Sequence, residues 1–405
     1  MTSSPLTDFG TFARTDDAYV VSILSKRTYR WNEEGRLRLA DEQLPLALDI
    51  EHAEREDRNG QIVVQGRDVW PLKAATDVIV TGHAHADRAV TELPIAVSVG
   101  ERERRIVALG QRYVEYRGPG NLWFSAPEPF STLEVSFWNA YGGIDPMVLP
   151  RGLDDTPAFA GKPTVELFPG AYPRNPSGCG YLIEPTPDLL NGLMLPTLED
   201  PTQRLTPNNI VSRDAKQWWR LPLPAAFGYC SALWFPRVVH CGGRPYYLPD
   251  GAHADSVPEV QMGELNAQAL TDPEARYPNS RMTQEAAPHM IMPFLRGDEP
   301  VKLVGFSPRG EQRFGLPAER PQVALQVDGK ALDLMARCLH TLAIDADRRT
   351  LTLVHSTRFR ASTALAEDLS DQADLDQVVA RCEATVDGRQ LEREQWPVAS
   401  DPRDL

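Results

Sequence analysis

A mainly β fold, a β-rich α+β arrangement with a sandwich-like core, is what this 405-residue sequence predicts, on three observations. Runs of β-branched and aromatic residues, several with period-two alternation, recur near both ends of the chain. Turn-forming pairs such as Gly100-Glu101 and Asp328-Gly329 sit between those runs. Gly and Pro are abundant, 28 and 35 residues, enough for many turns and too few for a disordered chain. The length suits more than one unit. The pattern divides the chain into an N-terminal β-rich domain over 1–150, a Pro- and aromatic-rich irregular middle segment over 151–290, and a C-terminal β-rich region over 291–405 that ends in a short helix.

In the first region, Tyr19–Leu24 and Thr28–Trp31 read as strand, Asn32–Gly35 as a turn, and Arg36–Leu39 as the returning strand. Asp77–Gly82 is a further strong strand. Ile95–Val99 and Arg105–Leu109 form a hairpin across Gly100-Glu101, and Leu133–Phe137 closes the set. The middle segment shows little periodicity around Pro169–Pro187 and Pro196–Pro224. Its aromatics suit structured loops packed over a sheet, with one short helix over Glu259–Leu270. Beyond Pro300 the strand pattern returns. Val301–Val304 and Gln312–Leu316 flank Ser307–Gly310, while Val323–Val327 and Ala331–Leu334 flank Asp328-Gly329. His340–Ile344 and Thr350–Val354 flank Asp345–Arg348. Asp374 is placed to cap a helix that aligns Leu375, Val378, Val379 and Cys382 on one face.

The formal net charge of −14 argues against nucleic acid and anionic membranes as partners and is compatible with a basic one. Five cysteines with no CxxC spacing support neither a disulfide framework nor a zinc ribbon. The start Met1-Thr2-Ser3-Ser4-Pro5 lacks the basic and apolar regions of a secretory signal, and no apolar run reaches membrane-span length, so a cytoplasmic location is expected.

His83-Ala84-His85 is the only His-x-His in the chain, and on a strand both imidazoles share a face. A metal-dependent hydrolase centred there would need further ligands, with Asp77, Asp87, His240 and Cys241 as candidates, whereas a strand end with hydrogen-bonded histidines needs none. Cys230 and the adjacent His240-Cys241 read better as buried thiols than as a nucleophile and its base. Trp218, Trp219 and Trp234 offer stacking faces for a carbohydrate-binding β-sandwich, though neighbouring aromatics also anchor loops into cores. No nucleophile elbow, phosphate-binding loop, dinucleotide fingerprint or zinc-protease motif occurs, so the expectation is no enzyme, no catalytic or metal-ligating residue and no cofactor.

Several segments together carry a resemblance. Trp70–Ala86 contains Asp77, Gly82 and His83; after it come Asn139–Gly143 with Gly142 and Gly143, Arg174–Gly180 with Asn175, Pro176, Gly178 and Gly180, and Leu195–Asp200. Then follow Ala287-Pro288, Pro293–Val301 with Arg296 and Gly297, Phe314–Pro317, and Leu339–Asp347. In this order they are similar to the domain of unknown function twenty-one sixty-nine, over roughly residues 10 to 360. The resemblance implies an effector adaptor or chaperone of bacterial type VI secretion, which binds a toxin, often one with a PAAR-like tip, and helps mount it on the VgrG spike. The signature is rich in turn residues and speaks of a fold more than an interface. Partner contacts are expected instead from exposed aromatics and arginines of the middle segment: Trp218, Trp219, Arg220, Tyr229, Trp234, Tyr246 and Tyr247.

Overall fold

The structure is a computed structural model, described for residues 6–15, 18–58, 60–147, 151–152, 166–167, 170–183, 185–210, 220–235, 237, 283–370 and 375–397. The predicted helix over Glu259–Leu270, along with Asp374, lies outside the described residues.

The first strands are β1 (Asp8–Arg14), β2 (Tyr19–Trp31) and β3 (Leu37–Leu39), followed by the ribbon of β4 (Glu51–Glu54) and β5 (Gln61–Gln65). The two apolar runs expected before Trp31 fuse into one 13-residue strand, buried over most of its length. After β6 (Thr76–Thr81) the chain turns at Gly82, φ +129°, into β7 (His83–Val90). The hairpin of β8 (Glu92–Val99) and β9 (Arg102–Leu109) closes across Gly100-Glu101, as the spacing predicts. A small ribbon, β10 (Val114–Tyr116) with β11 (Leu122–Phe124), precedes β12 (Phe130–Glu134). The strand expected over Leu133–Phe137 therefore ends early. Phe137–Asn139 coils into a 3-10 turn that buries Phe137 and Trp138.

In and beside the middle segment the described residues form two-residue strands and one short α-helix: β13 (Tyr141–Gly142), β14 (Arg151–Gly152), β15 (Glu166–Leu167), β16 (Cys179–Gly180), α1 (Pro187–Leu190), β17 (Leu198–Glu199) and β18 (Ile291–Met292). Thr186 caps α1 by accepting from the Leu189 N–H, with Pro187 at the first helical position. The C-terminal strands are β19 (Pro300–Val304), β20 (Glu311–Gly315), β21 (Val323–Val327), β22 (Lys330–Ala331), β23 (Asp333–Asp345) and β24 (Thr350–Arg360). Then follow α2 (Thr363–Ser370), α3 (Leu375–Ala380), β25 (Cys382–Val386) and β26 (Arg389–Gln390).

The largest sheet runs β1-β2-β24-β23-β6-β18, with β3 added to β2; a second runs β17-β9-β8-β19-β20, and a third β22-β21-β25-β26. The first two face each other over the main core, where Val78, Val80, Leu342 and Leu353 meet Ile95, Val97, Val301 and Leu303. The third sheet and both C-terminal helices pack on the β1–β2–β24 side of the first through Phe12, Ile23, Leu325, Leu365, Val379 and Trp396. The described middle segment has a small core of its own around Tyr141, Tyr172, Tyr181 and Leu195.

Strands from both ends of the chain share these sheets. β6 pairs in parallel with β23, Asp77 opposite Thr341, and β19 inserts beside β8. The boundaries at 150 and 291 thus mark changes in composition, and they correct to an interleaved core: parallel pairing of β6 with β23 needs a long crossover, which the intervening chain supplies.

Candidate functional site

On β7 the side chains of His83 and His85 fall on one face, as period two requires. Both turn toward Asp347, just past the end of β23. His83 Nδ1 lies 2.7 Å from one carboxylate oxygen of Asp347, and the His83 N–H donates to the other at 3.0 Å. His85 Nε2 lies 3.6 Å from Asp347, and its Nδ1 is 3.3 Å from the Thr132 hydroxyl. Burial alone would raise the Asp347 pKa, but the hydrogen bonds from His83 and the charges of both histidines lower it below the usual carboxylate range. The arrangement clamps a corner. Asp77 is not a partner of these histidines, because it is fully buried and bonded to Lys73; His240 and Cys241 lie outside the described residues. Among the described residues no group of three or more His, Cys, Asp or Glu side chains is placed to hold a metal ion.

The described thiols are held protonated. Burial pushes Cys179 and Cys230 up to about 12 and Cys382 up to about 11, and it raises Cys338 as well.

Asp77 instead ties the middle of the chain to the central sheet. One of its carboxylate oxygens accepts from Lys73 Nζ at 2.6 Å and from the Glu285 N–H at 2.9 Å. Lys73 also donates to the Thr341 hydroxyl at 3.2 Å and lies 3.7 Å from Glu285, which Arg237 approaches at 3.5 Å. Two cations and two carboxylates are thereby buried as a neutral set. Burial raises the Glu285 pKa despite both cations.

Three more signature segments interlock. Gly142 and Gly143 have φ +154° and +116°, and they lie against Asn175–Gly180. The Gly143 N–H donates to the Asn175 carbonyl at 2.9 Å, and the fully buried Asn175 donates from Nδ2 to the Phe137 and Tyr141 carbonyls at 2.9 and 3.2 Å. Pro176 continues the turn whose Gly178 lies against the Ala140 carbonyl, and Gly180, φ +94°, pairs with Gly142. The third segment joins through Thr197, whose N–H donates to the Asn139 carbonyl at 2.9 Å, while Glu199 and Asp200 bind Arg112 and Arg104. A further pair meets where the Ala318 N–H donates to the Gly297 carbonyl at 2.7 Å and the Leu316 N–H to the Glu299 carbonyl at 3.0 Å. Gly297 sits at φ +90°, and the Arg296 side chain points out to solvent.

A family model matches residues 16–356, most of the chain, and describes an uncharacterized protein conserved in bacteria, DUF2169. The chain belongs to this family. No curated protein and no solved structure matches it. In this DUF2169 protein the recurring segments are one another's binding partners.

The residues expected to bind a partner divide. Arg220 is exposed. Tyr229 and Trp234 are corrections: both are core side chains, 6% and 4% exposed, with Trp234 edge-on to Phe137 at 5.1 Å. Their burial also takes Trp234 out of any sugar-stacking face. Trp218, Trp219, Tyr246 and Tyr247 lie outside the described residues. The exposed apolar groups that sequence reasoning missed are elsewhere. Trp123, 54% exposed, stands on the β10–β11 ribbon with Arg117 over its ring at 5.4 Å, and Leu334 and Met335 are exposed at the start of β23. The adjacency of Leu334 and Met335 was a usable signal, because consecutive residues on a strand face opposite ways and a single core cannot cover both.

Proposed function

We propose that this DUF2169 protein is a non-catalytic adaptor that binds a cognate type VI secretion effector in the cytoplasm and promotes its loading onto the VgrG spike. One observation supports this reading above the others: the polar groups of the signature segments are spent on each other, in Lys73–Asp77–Glu285, in Asn175 against Gly142, and in His83–Asp347, rather than converging on an open cavity. Among the exposed side chains are Trp123 and Arg117, residue types that anchor protein partners. No described helix is long and apolar enough to cross a membrane.

The test is deletion of the gene in its host, scored for firing of the secretion machine and for delivery of each toxin. The machine still fires and delivery of one toxin is lost. Co-expression with that toxin yields a complex that survives gel filtration and buries at least about 1,200 Å². A His83→Ala/His85→Ala double variant of unchanged melting temperature still supports delivery. If that folded variant delivers no toxin, or no complex forms, the adaptor reading is wrong.

A further inference from the structure

β23 is the longest strand of its sheet beside β2, and it is only half covered. Its Thr341–Asp345 half lies between β24 and β6, whereas Asp333–Leu339 pairs with β24 alone. Along that first half the other edge has no strand partner among the described residues. The Thr76 hydroxyl closes the edge at the Leu339 carbonyl with a 2.7 Å bond, which leaves the stretch before it open. Edge strands of this kind are normally blunted by lysine, proline or a covering loop. Here the edge carries Leu334 and Met335, 48% and 41% exposed, and the register slips by one residue between Leu334 and Ala336.

Arginines gather around this edge, with Asp333 at its start and Asp298 beside Arg296. Arg360 stands across from Asp333, and Arg337 is exposed two residues beyond Met335. Arg320 donates to the Arg296 carbonyl at 2.6 Å, and both side chains are exposed. Arg320 is close enough to act on Cys338, whose thiol burial raises and the nearby guanidinium groups lower. Against a chain of net charge −14 this is a local reversal.

We propose that the free edge of β23, residues 333–339, docks an extended acidic segment of the effector by strand addition. The segment's main chain continues the sheet, its apolar side chains meet Leu334 and Met335, and its carboxylates meet Arg337 and Arg360. The net negative charge of the chain disfavours the same segment where arginines are not gathered. The inference rests on the adaptor reading for the identity of the partner.

Hydrogen–deuterium exchange on the full chain, alone and with the effector it co-purifies with, tests the edge directly. Amides of 333–339 become protected in the complex. Leu334→Asp/Met335→Asp and, separately, Arg337→Glu/Arg360→Glu each bind more than about tenfold more weakly at unchanged melting temperature, and wild-type affinity falls as salt rises. A complex in which 333–339 exchange as freely as before, or in which both variants bind like wild type, overturns this inference and leaves the adaptor reading standing. Protection of 333–339 without effector, at a dimer mass, overturns it in favour of a second copy of the chain. If wild-type protein forms no complex at all, the adaptor reading fails and the inference falls with it.

Discussion

Replacing Gly142 with Ala probes the contact on which the signature segments converge. A Cβ at this position would sit 2.9 Å from the Asn175 Cβ and closer still to that residue's carbonyl oxygen. Asn175 cannot retreat, because it is fully buried and its side chain bonds two carbonyls while its own carbonyl accepts from Gly143. Two costs add. A left-handed backbone with a side chain costs about 1–2 kcal/mol, and overpacking a rigid site costs about 1–3 kcal/mol. The total, about 2–5 kcal/mol, is a large part of a typical folding free energy. Gly118 separates the two terms: it is also left-handed, at φ +117°, but a Cβ there meets nothing within 4 Å. Gly118→Ala should therefore lose only about 1–2 kcal/mol. The assay is the urea midpoint of each variant at unchanged m-value. Equal losses in the two variants would show that the Gly142–Asn175 approach yields easily, and the interlock would not be what holds these segments together.

Two further perturbations act on buried charge. Lys73→Met leaves the Asp77 carboxylate buried without the cation bonded to it, and Glu285 without one of its two, and should cost about 3–5 kcal/mol in urea unfolding, with much of that recovered when Asp77 is also replaced by leucine. His355 has both ring nitrogens buried without a partner, and burial first, then the charges of Arg320 and Arg27, lowers its pKa from 6.5 to about 4. As pH falls the unfolded chain takes up this proton first, so stability present above pH 6.5 is lost progressively toward pH 4, by roughly 3 kcal/mol. His355→Met should flatten that slope in melts between pH 7 and pH 4, and an unchanged slope would show that His355 is not its source.

Elements with strong local patterns were legible. β2 carries β-branched and aromatic residues over nearly its whole length, and Asp328-Gly329 takes φ +52° and +73°, the left-handed pair of a tight hairpin. Other elements have weak local signals. β1 reads Asp8-Phe9-Gly10-Thr11 and owes its place to pairing with β2, while α2 buries only Leu365. Which strands of the two ends lie side by side could not be read. Val78 and Leu342 announce strands, yet nothing in either segment says that the two will lie side by side across more than 250 residues.

Two of the expected partner contacts failed for a related reason. Tyr229 and Trp234 have side chains that serve a core or an interface equally well, so composition cannot decide between the two. Here neighbours decide. The Tyr229 ring lies against Gly66 beneath the buried Glu285, and Trp234 fills the space beside Phe137 that the 3-10 turn creates. The same test, applied to β23, gives the opposite result. Leu334 and Met335 share their strand with Leu342 and Ile344, but β6 covers only the second pair. What separates exposed from buried apolar residues on this strand is therefore the length of the neighbouring strand rather than the residue type. Thr76–Thr81 is about half as long as Asp333–Asp345, and the mismatch leaves residues 333–339 with β24 as their one strand partner among the described residues.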